Sequence, residues 1–504
     1  MNLFRFPFGS GTTAACRTPR SPLAAASALV LAGLFVSALV GVSGCEDAAD
    51  HAGPDSSISA GETAFIDTLQ FRTFRYFWDL CNPHTGLAPD RWPTDSFAST
   101  AATGFALTAY PIGVERGYVS REAAVERTLK TLEFFWSSPQ DTAASGATGY
   151  RGFYYHFLDP DTGVRFGDVE LSTIDTALLL AGALFCQTYF DGPGADETRL
   201  RALADSLYLR VDWEWASIRP PVIGHGWKPE IGFLGYDWRG YNEAMLLYLL
   251  AMASPTHPAK PGAWEAWTEG YQWDEYYGRR HLGFPPLFGH QYTHVWFDLR
   301  GIRDDVMRAN DLDYFENSRR AVLAQHDYAL DNPGGFTGYG PRLWGLTACD
   351  GPVNQTFEMD GTSRAFVTYW ARGASFAWVN DDGTVCPSAA AGSLPFAPEI
   401  VLPTLMAMKE DHGENLFAEY GFLDAVNPTF TLEVPVQHGR VVPGKGWYDT
   451  DYLGIDQGPI LAMIENHRTG LIWKTMRRNP HVIRGLKAAG FSGGWLLSEE
   501  ASHD

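Results

Sequence analysis

"GYNEAMLLYLLAMA" (Gly240 to Ala253) opens on a carboxylate and then runs almost wholly apolar. Apart from two tyrosines, Glu243 is its only ionisable side chain. A segment apolar on every face is read as a helix buried among other elements. The acid at its start has two readings. A carboxylate near a helix N-terminus is favoured by the helix dipole. A carboxyl group desolvated beside apolar residues is instead a working proton donor.

Working outward, helical patterning recurs. Phe65, Ile66, Leu69, Phe74, Phe77 and Trp78 mark a first amphipathic helix. Others are expected over 99–116, 120–137, 172–190, 195–211, 240–253, 263–278, 289–300, 312–332, 398–411, 457–467 and 479–490. Ser120 and Ser172 suit N-caps, and Pro398 suits a first helical turn. Strand signals are short. Residues 150–170 read as a hairpin around Asp159-Pro160-Asp161-Thr162-Gly163, whose aspartates read as turn residues rather than a calcium loop. Residues 225–241 read as a second β excursion. No repeat and no Pro/Ser linker divides the chain. The expectation is one all-α domain, its helices paired into a toroid, with long loops and short β-hairpins forming a pocket. An α-solenoid would carry a repeat.

The chain is 45% hydrophobic and 14% aromatic, with 17 Trp and 22 Tyr, a surplus that suits stacking on sugar rings. A formal net charge of −21 repels phosphate backbones and excludes nucleic acid as a partner, while a neutral substrate is compatible with it. Arg17 and Arg20 precede an apolar run from Leu23 to Val42, and Val42-Ser43-Gly44-Cys45 ends it. That is a lipoprotein cleavage box; a membrane-spanning helix is the alternative. The expected organisation is a signal peptide over 1–44, a polar tether over 45–60 lipidated at Cys45, and a catalytic domain over 61–495. Such a protein is exported and membrane-anchored, facing the periplasm or the cell exterior. No C-x-x-C pair occurs, and Cys349 and Cys386, flanking one loop region, are candidates for a disulfide.

No G-x-S-x-G, H-E-x-x-H, P-loop or G-x-G-x-x-G occurs, and the 14 histidines are scattered, so neither a cofactor nor a metal is implied. What remains is acids in Gly- and aromatic-rich settings, the materials of glycoside hydrolysis. Four blocks carry them, each with a plain alternative. Asp175 in "STIDTA" completes a capping pattern with Ser172, and Glu170 just before it reads as hairpin surface. Glu243 is the helix-start acid. Asp381, Asp382 and Glu399 suit turns and a first helical turn. Asp456 in "GIDQGP" suits an N-cap. Their setting among His225, Trp227, Tyr236, Trp238, Tyr241, Trp344 and Trp447 favours a sugar cleft.

"STIDTALLLAG", "GYNEAMLLYLLA", "WGLTACDGP", "DDGTVCPSAAAGSLPFAPE" and "GIDQGPILAMIENHRTGLIW" together resemble the signatures of the glycoamylase-like domain, glycoside hydrolase family 144. The resemblance implies an (α/α)6 barrel that cleaves β-1,2-glucan, mostly in endo fashion and with inversion, to sophorose and short sophoro-oligosaccharides. It implies Glu243 as general acid and Asp175 as a second pocket carboxylate. Asp456 lies in its most recognisable block without an assigned role. Trp227, Tyr236, Trp238, Tyr241, Trp344, Asp382, Glu399 and Trp447 are the expected substrate-binding residues, in a monomer. Cys349 and Cys386 stand where the family has small residues, the pattern of a lineage-specific disulfide. Two rivals stay open: a hydrolase of another glucan, glucoamylase-like or exo-acting, and a lipid-anchored carbohydrate-binding protein without turnover.

Overall fold

The computed structural model describes residues 59–359 and 361–498. The leader, Cys45 and nearly all of the expected tether lie outside the described residues. Ser59 caps helix α1 (Ala60–Leu80) reciprocally: the Glu62 N–H donates to Ser59 Oγ (3.2 Å) and the Ser59 N–H to Glu62 Oε2 (2.7 Å). Ten further long helices follow: α2 (Thr100–Glu115), α3 (Arg121–Ser137), α4 (Thr173–Tyr189), α5 (Ala195–Leu209), α6 (Met245–Ala253), α7 (Phe288–Trp296), α8 (Tyr314–Asp331), α9 (Pro398–His412), α10 (Gly454–Arg468) and α11 (Pro480–Ala488). Strands are two to five residues long and most pair with strands near in sequence, although Arg91–Trp92 pairs with Tyr452–Leu453, so the described residues are helical with short β connections. Among the described residues no helix is long and apolar enough to cross a membrane.

Three helices share one entrance. Two-residue strands, Ala98–Ser99, Leu171–Ser172 and Tyr452–Leu453, run directly into α2, α4 and α10. Their last residues have nearly identical backbone angles: Ser99 (φ −103°, ψ 129°), Ser172 (−103°, 128°) and Leu453 (−104°, 129°). Asp175 and Asp456 therefore occupy the same place, the third residue of equivalent helices. Ala102 holds that place on α2.

α2 packs against both α4 and α10. Glycines set how close they come. A Cβ on Gly104 of α2 would lie 2.4 Å from the Leu178 carbonyl oxygen of α4, and one on Gly182 would lie 2.1 Å from that of Gly104. On α10, a Cβ at Gly458 would meet the Phe105 ring of α2 at 2.1 Å. Backbone contact at this range is open only to glycine.

Two expected helices are shorter than their patterns. The segment from 263 is helical only over Ala263–Thr268; beyond it Trp273–Tyr276 pairs with Arg279–Leu282. Tyr277 and Gly278 between them have positive φ (48° and 72°), the tight hairpin turn that ends the helical reading. The segment from 240 becomes helical only at Met245. Gly240 has φ 73°, and Asn242 Oδ1 accepts the Ala244 N–H (2.9 Å), so an Asx turn replaces the first helical turn. The two β excursions form one antiparallel sheet of five strands: Gly149–Tyr150, Phe153–Tyr155, Leu171–Ser172, Gly226–Lys228 and Gly232–Phe233. Asp159 Oδ1 accepts the Thr162 N–H (2.8 Å) and closes the expected turn. Cys349 and Cys386 are free, buried thiols, and the expected disulfide is not formed. Each has another partner: Arg372 Nη1 is 3.5 Å from Cys349 Sγ, and Cys386 Sγ is 3.1 Å from Ser388 Oγ.

Candidate active site

Two of these entrances carry an acid. On α4, Ser172 Oγ accepts the Asp175 N–H (3.2 Å) as an N-cap and its hydroxyl donates to Asp175 Oδ2. The carboxylate does not reach back to the Ser172 backbone, so the capping pattern is only half used. Asp175 Oδ1 is left facing His156 Nε2 at 3.5 Å. His156 Nδ1 lies 2.9 Å from Glu170 Oε1. Burial works against an imidazolium here, but Asp175 and Glu170 outweigh it and hold His156 at about 9. Burial would raise Glu170, yet His156 and then Lys228 bring it down to about 2. Asp175 stays above its ordinary value: burial raises it, and His156 and Ser172 offset only part of that. A Glu–His–Asp chain thus fixes Asp175. His156 escapes the sequence reading because it sits in "YYHF", at the bend between the strands Phe153–Tyr155 and Phe157–Leu158, with no motif of its own.

Glu243 rides on the Asx turn that ends before α6. Its Oε2 is buried without a hydrogen-bond partner. Burial raises its pKa to about 7; a backbone hydrogen bond opposes this, and the charge of Asp175 adds to it. Desolvation therefore outweighs the proximity of the helix N-terminus.

On α10, Leu453 is the N-cap and Asp456 lies three residues inside, so the N-cap reading of Asp456 fails. The Ser388 hydroxyl donates to Asp456 Oδ1 (2.6 Å), while Oδ2 is buried and unpartnered. Burial raises its pKa. The phenol of Tyr292, on α7, is pushed up by burial and by the charges of both Asp456 and Glu243. Glu243 thus lies within electrostatic reach of Asp175, and Tyr292 within reach of Glu243 and Asp456.

Aromatic residues flank the Asp175 side. Trp238 stacks on His225 (centroids 3.7 Å apart, planes at 12°), and its Nε1–H donates to Thr173 Oγ1 (3.0 Å). Burial lowers His225 to about 4, so it is neutral at pH 7. Trp227 is half-buried against Tyr150 and Trp215, and Tyr236 is 54% exposed. Both keep part of their surface exposed.

The other expected binding residues are engaged within the protein. Trp344 is fully buried and its Nε1–H donates to Thr404 Oγ1 (2.7 Å); Trp447 is equally buried and donates to the His438 carbonyl (2.7 Å). Tyr241 is packed between His290 and Tyr314. Asp382 makes a buried two-point ion pair with Arg372 (2.8 Å to each oxygen). Asp381 accepts the hydroxyls of Tyr328 (2.9 Å) and Tyr339 (2.7 Å). Glu399 pairs with Arg319 on the surface (2.6 Å). Aromatic and acidic composition alone does not separate such residues from a binding surface.

Residues 235–480 match the family model "Glycoamylase: Putative glucoamylase". A crystal structure of a "putative glucoamylase" from Bacteroides uniformis is 32% identical, with a TM-score of 0.73 over 88% of this chain and 100% of that one. The chain belongs to the glycoamylase-like family, glycoside hydrolase family 144. Within this family it is similar to the endo-β-1,2-glucanase of Chitinophaga pinensis, solved with sophorotriose and glucose (28% identity, TM-score 0.72, 87% of this chain and 99% of that one). It is also 28% identical over 456 residues to the exo β-1,2-glucooligosaccharide sophorohydrolase of Parabacteroides distasonis. That match takes in 84% of this chain, which spans 57% of the length of the relative.

Proposed function

We propose that this glycoamylase-like chain is an (α/α)6-type hydrolase of β-1,2-glucan. In this reading it is endo-acting and inverting, with Glu243 as general acid. The observation that carries the reading is the Glu243 carboxyl: one oxygen buried and unpartnered, the group held at about 7, Asp175 within reach. Such a group is still protonated near neutrality and has no other use for its proton. In the reaction Glu243 gives that proton to the glycosidic oxygen as the C–O bond breaks. Water attacks the anomeric carbon from the opposite face, and a carboxylate on the Asp175–Asp456 side receives the water's proton. Asp175 is oriented by Ser172 and His156. Trp227 and Tyr236 present faces for glucosyl rings. Near-complete overlap with the Chitinophaga pinensis structure supports the endo reading.

The test is the product profile on linear β-1,2-glucan. Mixed sophoro-oligosaccharides from the first minutes are expected, with turnover lost in Glu243→Gln. Sophorose alone from the start supports exo action, release only from an α-glucan supports the glucoamylase reading, and binding without release supports a carbohydrate-binding protein. We further propose that the chain is a monomer carried as a lipoprotein, lipidated at Cys45 of "VSGC" and facing the periplasm or the cell exterior. Cys45→Ser then moves the protein from the membrane fraction to the soluble fraction.

A further inference from the structure

Beside Asp456, three loops bring together Asp350, Asp424 and Asp449, which are 0%, 2% and 0% exposed. One oxygen from each lies within 4.8 Å of the others. The loops are pinned by backbone bonds: the Asp424 N–H donates to the Asp451 carbonyl and the Asp449 N–H to the Ala425 carbonyl (2.9 Å each).

Each carboxylate has one oxygen occupied. Asp350 Oδ2 accepts from Arg91 Nη1 (2.7 Å). Asp424 Oδ2 accepts the Asp350 N–H (2.8 Å). Asp449 Oδ1 accepts the N–H groups of Thr450 (2.6 Å) and Asp451 (3.0 Å). Two of the second oxygens are spare: Asp350 Oδ1 and Asp449 Oδ2 are buried with no partner at all, while the Asp424 carboxyl also hydrogen-bonds with that of Asp456 and its Oδ1 lies 3.7 Å from the Cys386 thiol. A buried carboxylate oxygen without a partner is unfavourable, and this site holds two.

The charge around them is one-sided. Among the described residues Arg91 is the one guanidinium bonded to the set, and it also faces Asp90 (3.4 Å) and Asp451 (3.7 Å). His438 Nδ1 is 3.8 Å from Asp350 Oδ2 and 3.3 Å from Arg91 Nη1.

We propose that Asp350, Asp424 and Asp449 hold a calcium ion. Carboxylate oxygens are the ligands of hard cations, and calcium binds them at about 2.3–2.6 Å, so two of its ligands can stand up to about 5 Å apart. Magnesium keeps several waters and is seldom held by an all-protein cage, whereas calcium takes protein oxygens in flexible geometry; three buried carboxylates with oxygens within 4.8 Å of one another form such a cage. The arrangement escapes a search for metal motifs because its ligands come from three loops and include no histidine. The ion would sit behind Asp456, which shares a second compact set with Asp424 and Cys386, and would stiffen the wall of the cleft.

The experiment uses the full chain stripped with EDTA. Equilibrium dialysis against radioactive calcium should give one ion per chain. The unfolding temperature should rise steadily with calcium concentration, as for any ligand of the native state. Asp449→Asn should weaken binding about tenfold or more. If that variant does not fold, calcium titration of the native chain in weak buffer at pH 7 should release protons held among the carboxylates. No binding at millimolar calcium together with an unchanged unfolding temperature overturns the proposal. So does binding undiminished in Asp449→Asn, or tighter binding of magnesium than of calcium. Glucan hydrolysis assayed in EDTA is scored separately, so failure of the cation site and failure of the hydrolase reading stay distinct.

Discussion

Glu243 is held at about 7 chiefly by burial, with Asp175 adding to the effect. Two outcomes follow. Hydrolysis needs the protonated form, so kcat/KM should fall as pH rises through about 7. Asp175→Asn removes a nearby charge and should move that limb toward acid, as well as slowing turnover; a pH–rate profile of both proteins checks this. Stability runs with the opposite benefit. A carboxyl group whose folded pKa lies above its unfolded value loses stability as pH rises from about 4.5 to about 7. Glu243→Gln removes that penalty. At pH 8 the variant should be inactive yet more stable by about 1–3 kcal/mol in urea unfolding. A variant no more stable than the parent would mean that Glu243 is not desolvated. Arg372→Met tests the opposite case. It strands the Asp382 charge in the core and should cost about 3–5 kcal/mol. KM should not move, because Asp382 pairs within the core and presents nothing to substrate.

The elements were legible where caps and periodicity agree. Ser99, Ser120 and Ser172 each cap the helix that follows, and α2 to α5 begin and end within about two residues of the pattern. The reading failed where local turn chemistry outcompeted periodicity, at the Asx turn before Met245 and the hairpin turn at Tyr277-Gly278. It also could not see the repeat. The entrances to α2, α4 and α10 agree in backbone angles but share almost no sequence, since "FASTAAT", "ELSTIDT" and "DYLGIDQ" align at only a few positions. Asp175 and Asp456 were found from the sequence, but their equivalence was not. The spacing of those helices rests on glycine. Gly104→Ala puts a methyl group 2.4 Å from the Leu178 carbonyl oxygen, and backbone cannot yield as a side chain does. It should destabilise the fold by about 1–3 kcal/mol. Because α4 carries Asp175, kcat should fall further than lost stability explains; activity measured well below the unfolding transition checks this.

At the scale of the whole molecule, the helical character was readable from the helix pattern, whereas the binding surface was not. Seventeen tryptophans suggested a sugar cleft, but Trp213, Trp267, Trp296, Trp344 and Trp447 are core. A large helical protein spends most of its aromatic residues inside. The loops that assemble Asp350, Asp424 and Asp449 are distant in sequence, and no spacing rule joins them. The net charge of −21 makes one more prediction. A neutral glucan feels no long-range field, so kcat/KM should change less than about twofold between low and high salt, where a charged substrate would respond strongly. Steady-state rates across a sodium chloride series measure it.

The bare Oε2 atom of Glu243 has a consequence for inhibition. Below pH 7 the group is a neutral acid and offers little to a cation. Above it, the site holds an uncompensated negative charge in a desolvated wall. A basic iminosugar with its ammonium group placed near the scissile oxygen should bind more tightly as pH rises through about 7, the direction in which turnover declines. Potency and catalysis would then have opposite pH profiles, and an inhibitor screened only at the optimum for hydrolysis would be undervalued.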